Sequence, residues 1–237
     1  MGPEIAAAGY RVLCPDLRGA GWSVAESPVI DRETRLDDLL ALFDALSIER
    51  AHVISHDMGV LSAMQLSYEH PERVRSAIQL AVLPGFARFH YKLAPAFQHL
   101  PRFIWHAPQA PLRDTFSGRY VAQPMSDETI DAYLAPMERP VIDAAVRPLT
   151  RKVVLPEAMH IMRGRYRRRR LTVPTLVVYG RQDHPTTEEL MNKMCRNPHE
   201  YADRVEFAYI DNAAHFITDD APEAVATLAK DWLARNT

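Results

Sequence analysis

Residues 53–60 read VISHDMGV, and the reading of this stretch decides the fold. A β-prone run, Val53 to Ser55, passes directly into a helical run from about Met58, with His56 and Asp57 in the turn between them. The small residues Ser55 and Gly59 stand two before and two after Asp57. A sharp strand-to-helix elbow needs such neighbours, because bulky side chains would collide when the middle residue is held exposed in a strained conformation. A carboxylate in that turn is solvated, caps the helix or reacts. Aspartate is a common N-cap, so the turn alone leaves capping and reaction open.

The flanking sequence supplies the frame. The run YRVLCPD at 10–16 is apolar and β-prone and leads into the glycine-punctuated LRGAGWS at 17–23, which predicts a strand and then a loop. Leu36, Leu39, Leu40, Phe43 and Leu46 recur at three- and four-residue steps opposite Asp37, Asp38 and Asp44, which predicts an amphipathic helix. AHVIS at 51–55 predicts a strand, 58–70 a helix ending before Pro71, and VRSAIQLAVL at 74–83 a further strand. From Pro84 to about Arg170 only helical pieces are legible, cut by prolines that include Pro95, Pro101, Pro148 and Pro156. The alternation resumes with a strand at 175–180 (TLVVYG), a helix at 188–195, a strand at 204–210 (RVEFAYI) and a closing helix at 223–233. Continuous apolar strands alternating with helices predict an α/β fold, a mostly parallel sheet covered on both faces. The expected division is core at 1–84, a helical cap insertion at 85–170, and core again at 171–237.

Composition bounds the function. With 237 residues, 47% of them hydrophobic, the chain can bury one substantial core, and its net charge of −2 gives no general reason to expect a nucleic-acid or membrane partner. The run Arg163, Arg165 and Arg167 to Arg170 has no interleaved aromatic series and reads as a solvated junction. Cys14 and Cys195 form neither a disulfide framework nor a metal-ligand spacing, which favours a reducing compartment. The N-terminus carries no basic region followed by an apolar one, so the expected location is cytoplasmic.

Two further residues bear on Asp57. Asp183 follows the strand TLVVYG, and His215 follows the strand RVEFAYI in the segment DNAAHF. Either alone reads as a loop or structural residue. Together, nucleophile, acid and histidine stand in chain order just beyond three strand ends, where parallel sheets collect their sites.

With PDLRGAGWS at 15–23, SHDMG at 55–59, HPERV at 70–74, VPTLVVYGRQD at 173–183 and DNAAHF at 211–216, the sequence resembles the aspartate-nucleophile α/β-hydrolases, the epoxide hydrolase and haloalkane dehalogenase group. The resemblance implies that Asp57 attacks an electrophilic carbon, that His215 activates the water that hydrolyses the ester, and that Asp183 orients and charges His215. The Met58 N–H would help hold the oxyanion of the second step. It further implies a hydrolase that opens epoxides to diols, acting on a small-molecule substrate with no cofactor and no metal. The alternatives are dehalogenation of a haloalkane or haloacid by the same first step, and a catalytically impaired remnant.

The sequence departs from that family in two places. The segment MGPEIAAAGY resembles only the end of the first helix, so the N-terminal strands and the oxyanion loop of such enzymes are expected to be missing, with an exposed sheet edge prone to self-association. Epoxide hydrolases generally use two cap tyrosines to protonate the ring oxygen, and neither has a clear match. Tyr120 and Tyr133 are the nearest, each reading more readily as a packing residue than as a proton donor. Dehalogenases favour a tryptophan after the nucleophile, where this chain has Met58.

Overall fold

The computed structural model describes every residue except 24, 26 and 28. Its centre is a four-stranded parallel sheet in the order β1 (Ala51–His56), β2 (Val74–Leu80), β3 (Thr175–Gly180) and β4 (Val205–Ile210). Each strand is a β-branched or apolar run, and β3 is buried at all six positions because it has neighbours on both sides and helices on both faces. One face carries Ala77, Val177 and Tyr179 against Leu36, Met64, Leu66 and Met191 of α2 (Arg32–Ala45), α3 (Met58–Glu69) and α8 (Glu188–Met194). The other carries Ile78, Leu80, Leu176 and Val178 against Ile5 of α1 (Gly2–Ala7) and Val225, Ala229 and Trp232 of α10 (Pro222–Ala234). This is the expected α/β architecture of the α/β-hydrolase type, with alternate strand residues serving opposite faces.

The expected strand at 10–16 does not form. A strand exists only when a neighbour takes up its backbone groups, and β1 pairs with β2 alone among the described residues. The segment is largely exposed, with Leu13 at 44% and Cys14 open to solvent, and Tyr10 lies edge-on to His52 with ring centroids 6.2 Å apart.

Between β2 and β3 the chain runs through α4 (Leu100–Ile104), α5 (Asp127–Leu134), α6 (Pro140–Leu149) and α7 (Leu155–Met162), joined by 3-10 turns. No strand forms at 81–170 among the described residues. Pro148 and Pro156 do not cut the helix as expected. Pro148 lies in the last turn of α6, and α6 continues into α7 through a π turn, Thr150–Val154, where the Leu155 N–H reaches the Thr150 carbonyl. That wide turn makes room for the ring of Pro156, which in an unbroken α-helix would meet the carbonyl four residues back. The arginine run is a junction tied to the core: Arg167 donates to the Ala87 carbonyl, and Arg170 pairs with Asp203 and reaches the Ala202 carbonyl. Among the described residues no helix is long and apolar enough to cross a membrane.

Candidate active site

At the end of β1 the backbone turns on Asp57, whose φ of +45° and ψ of −122° are unusual for any residue with a side chain. Its N–H donates to the Leu80 carbonyl at 3.4 Å and its carbonyl accepts from Val60 N–H at 2.9 Å, which fixes strand end and helix start on either side of it. The Asp57 side chain makes no capping hydrogen bond, so the N-cap reading does not hold. A Cβ at Gly59 would lie 3.9 Å from that of Ser55, so the two small residues face one another across the elbow with room for a methyl group and little more.

The other two predicted residues converge on it. Asp183 lies three residues past β3 and His215 five past β4. The two loops meet because residue 180 is glycine: a Cβ there would fall 2.2 Å from the Ala213 carbonyl oxygen. The Gln182 N–H donates to that same carbonyl at 2.9 Å. As a result His215 Nε2 stands 3.6 Å from Asp57 Oδ1, and His215 Nδ1 stands 3.6 Å from Asp183 Oδ2. His56, noticed in the sequence only as a neighbour, places its Nε2 2.8 Å from the His215 carbonyl and donates to it, holding the histidine loop.

The electrostatics follow from this layout. Loss of water pushes the His215 imidazolium toward neutrality, but the two carboxylates outweigh it and raise its pKa to about 10. For Asp57 desolvation acts upward, and His215, His56 and the Met58 N–H act downward more strongly, leaving the carboxyl well below the usual range. His56 is held low by burial and by the positive His215 beside it, so it stays neutral.

Above Asp57 opens a cavity of about 230 Å³. Its walls are apolar, with Leu61, Phe97, Phe103 and Ile161, and Met58 lines it beside Asp57. Four polar side chains line it from residues 85–170: His99, Thr115, Arg119 and Tyr120. The Tyr120 ring lies 6.1 Å from that of His215 and 5.8 Å from that of His99. Burial raises the Tyr120 phenol and lowers His99, so both are neutral near pH 7. His99 Nδ1 is withdrawn from water with no partner among the described residues. Arg119 already donates to the Pro95 carbonyl and to Gln98 Oε1. Tyr133 lies outside the lining and gives its hydroxyl to Asp219 at 3.0 Å. Trp22 and Trp105 are 62% and 65% exposed and do not line the cavity. Among the described residues no group of three or more His, Cys, Asp or Glu is placed to hold a metal.

Comparison with known proteins agrees with this architecture. The AB hydrolase superfamily protein YfhM of Bacillus subtilis (strain 168) is 25% identical over 95% of this chain and 81% of its own length. Epoxide hydrolase 3 of Xenopus tropicalis is 27% identical over 95% of this chain, which spans 64% of that protein. Among solved structures, epoxide hydrolase CorEH superposes with a TM-score of 0.77 at 21% identity, over 93% of this chain and 81% of that one. Epoxide hydrolase VrEH1 of Vigna radiata gives 0.76 at 18% identity, over 98% and 85%. The sequence profile described as "Alpha/beta hydrolase family" matches residues 3–228, nearly the whole chain, and with the strand order and the elbow it establishes that the chain belongs to the alpha/beta hydrolase family.

Proposed function

We propose that the chain hydrolyses epoxides to diols through a covalent ester on Asp57, with the helical residues 85–170 serving as the cap over the site. The observation that carries this reading is the line Asp57–His215–Asp183, with both gaps at 3.6 Å, on the floor of an apolar cavity. A carboxylate is a poor acyl-transfer nucleophile but a sound one for displacement at an alkyl carbon. The similarity to the Xenopus epoxide hydrolase supports the same substrate class.

In the first step an Asp57 oxygen bonds to a ring carbon, the carbon–oxygen bond of the ring breaks, and the ring oxygen takes the Tyr120 phenol proton. Tyr120 is suited to this because burial keeps it protonated, and the neutral His99 beside it adds a hydrogen bond to the same oxygen. In the second step His215 takes a proton from water, and the hydroxide adds to the ester carbonyl carbon. The oxyanion leans on the Met58 N–H at the start of α3, and collapse releases the diol and the Asp57 carboxylate. The Asp57 charge that raises His215 also times it. Once Asp57 is an ester that charge is gone and one of the two carboxylates holding the proton is lost, so His215 gives its proton to the Tyr120 phenolate left by the first step, becomes a usable base, and regains a proton from water in the second.

The walls select the substrate. Besides His215, which already faces two carboxylates, Arg119 is the one strongly basic side chain lining the cavity among the described residues, and its guanidinium is spent on the Pro95 carbonyl and Gln98 Oε1, so the apolar walls favour an uncharged epoxide. The test is intact-mass measurement with a terminal aryl or alkyl epoxide. Asp57→Ala is expected to lose turnover while remaining folded, and His215→Gln to accumulate an adduct heavier by the mass of the epoxide. Turnover by the Asp57→Ala variant, or halide release from haloalkanes outpacing epoxide opening, would replace this reading.

A further inference from the structure

Asp220, the last residue of the short helix α9 (Ile217–Asp220), sits five residues beyond His215, and its carboxylate is shared between two distant parts of the chain. Oδ2 accepts from the Ala214 N–H at 2.8 Å and from the Ala122 N–H at 3.0 Å. Oδ1 accepts from the same Ala122 N–H at 2.9 Å and from the Gln123 N–H at 3.3 Å. A second tie runs beside the first, from the Phe216 N–H to the Tyr120 carbonyl at 3.0 Å. Both amides that flank His215, those of Ala214 and Phe216, are therefore spent on residues 120–123, one through Asp220 and one directly. Next to Asp220, Asp219 accepts the Tyr133 hydroxyl, and Phe216 packs on Phe116 at 5.2 Å.

We infer that Asp220 is a positioning residue that holds the segment carrying Tyr120 and the loop carrying His215 in one register over Asp57. The inference rests on the aspartyl-ester reading and deepens it: one carboxylate aligns the proton donor of the first step with the base of the second. A merely structural cap of the histidine loop needs only the Ala214 N–H. The additional grip on Ala122 and Gln123, 98 and 97 residues away in sequence, is what links the two steps. Charge-assisted bonds to backbone N–H groups are short and directional, so they fix orientation where apolar contacts would let the segment slide.

The test separates the two half-reactions. Ester formation and ester hydrolysis are timed by rapid quench and mass measurement in the full chain and in Asp220→Ala and Asp220→Asn. Asp220→Ala is expected to slow both steps at least tenfold. Asp220→Asn, which keeps one acceptor oxygen, is expected to fall between it and the parent, and Tyr133→Phe to stay within twofold. Hydrogen exchange is read alongside. The amides of 120–123 and 212–216 are expected to exchange faster together in Asp220→Ala, while those of β3 are unchanged. Loss confined to ester hydrolysis, or exchange that rises at 212–216 without 120–123, would overturn the inference. A parent chain that opens no epoxide sinks the reading of the activity instead, and the exchange measurement still decides the latch. If Asp220→Ala does not fold, Asp220→Asn decides both arms: unchanged half-reaction rates and unchanged exchange at 120–123 would overturn the inference.

Discussion

The sheet and the helical segment at 81–170 are held in place by different chemistry. In the sheet, β3 is buried throughout and Leu176, Val178 and Trp232 are at most 2% exposed, so its stability comes from apolar area removed from water. The helical segment adds buried polar groups to its apolar contacts at Ala145, Leu149, Val153 and Ile161. Glu157 of α7, 1% exposed, accepts from Arg32 Nε of α2 at 2.9 Å and from the Tyr166 hydroxyl, while Arg32 also reaches Glu69 of α3 at 3.1 Å. Within the segment His106 Nε2 meets Asp143 Oδ1 at 2.6 Å, and the Gln109 N–H meets the other oxygen at 2.9 Å. The difference teaches what each part needs. Apolar burial is strong and tolerant of detail, whereas a buried ion pair adds little net stability and defines one orientation.

That contrast can be broken by substitution. Trp232→Ala removes the largest fully buried side chain together with its contacts to Arg204 and Arg235, whose guanidinium carbons lie 4.9 and 5.1 Å from the ring. A loss of about 3–5 kcal/mol in chemical denaturation is expected, the usual range for such a truncation. Arg32→Met leaves Glu157 buried without its arginine and is expected to cost about 3 kcal/mol, and Arg32→Met with Glu157→Leu to regain most of it. If the double variant is as unstable as the single one, the pair contributes net stability and the contrast fails.

The smallest effect extends the comparison to the site and is read as melting temperature against pH. His215 is raised to about 10, so its contribution is fully present below its unfolded value near 6.5 and is lost as pH climbs through 10. Asp57 is depressed, so its contribution is present above its unfolded value near 4 and disappears only in stronger acid. The melting temperature of the parent relative to His215→Gln is therefore expected to fall between about pH 6.5 and 10. A constant difference across that range would show that the two carboxylates do not hold the imidazolium.

Legibility in the sequence follows the same division. Strand β3 is readable to the residue, α3 and α10 to within one residue at each end, and α2 by its apolar stripe, because apolar periodicity reports burial. Asp57, Asp183 and His215 were readable because strand ends mark where they belong. The run at 10–16 has strand composition and no strand, since composition does not report whether a neighbour is present. His99 and Asp220 were not picked out, and Tyr120 stood only beside Tyr133 with nothing in the sequence to choose between them. They sit in turns or a four-residue helix without periodicity, and their meaning lies in contacts across about a hundred residues, such as Asp220 to Ala122. The proline pattern misled at 148 and 156 because a π turn absorbs what an α-helix does not.

The backbone of Asp57 has a consequence for how the gene drifts. Its φ of +45° with ψ of −122° belongs to a region that costs a residue with a side chain about 1–3 kcal/mol and glycine much less. Under the proposed aspartyl-ester mechanism, folding and turnover therefore favour different letters at one codon. In a His215→Gln background, where the pairing with Asp57 is already gone, passage under selection for heat resistance with no demand for product is expected to enrich Asp57→Gly. Aspartate persisting through many such rounds would mean that the elbow is not strained, and an alphabet of stable, silent descendants would mean that it is.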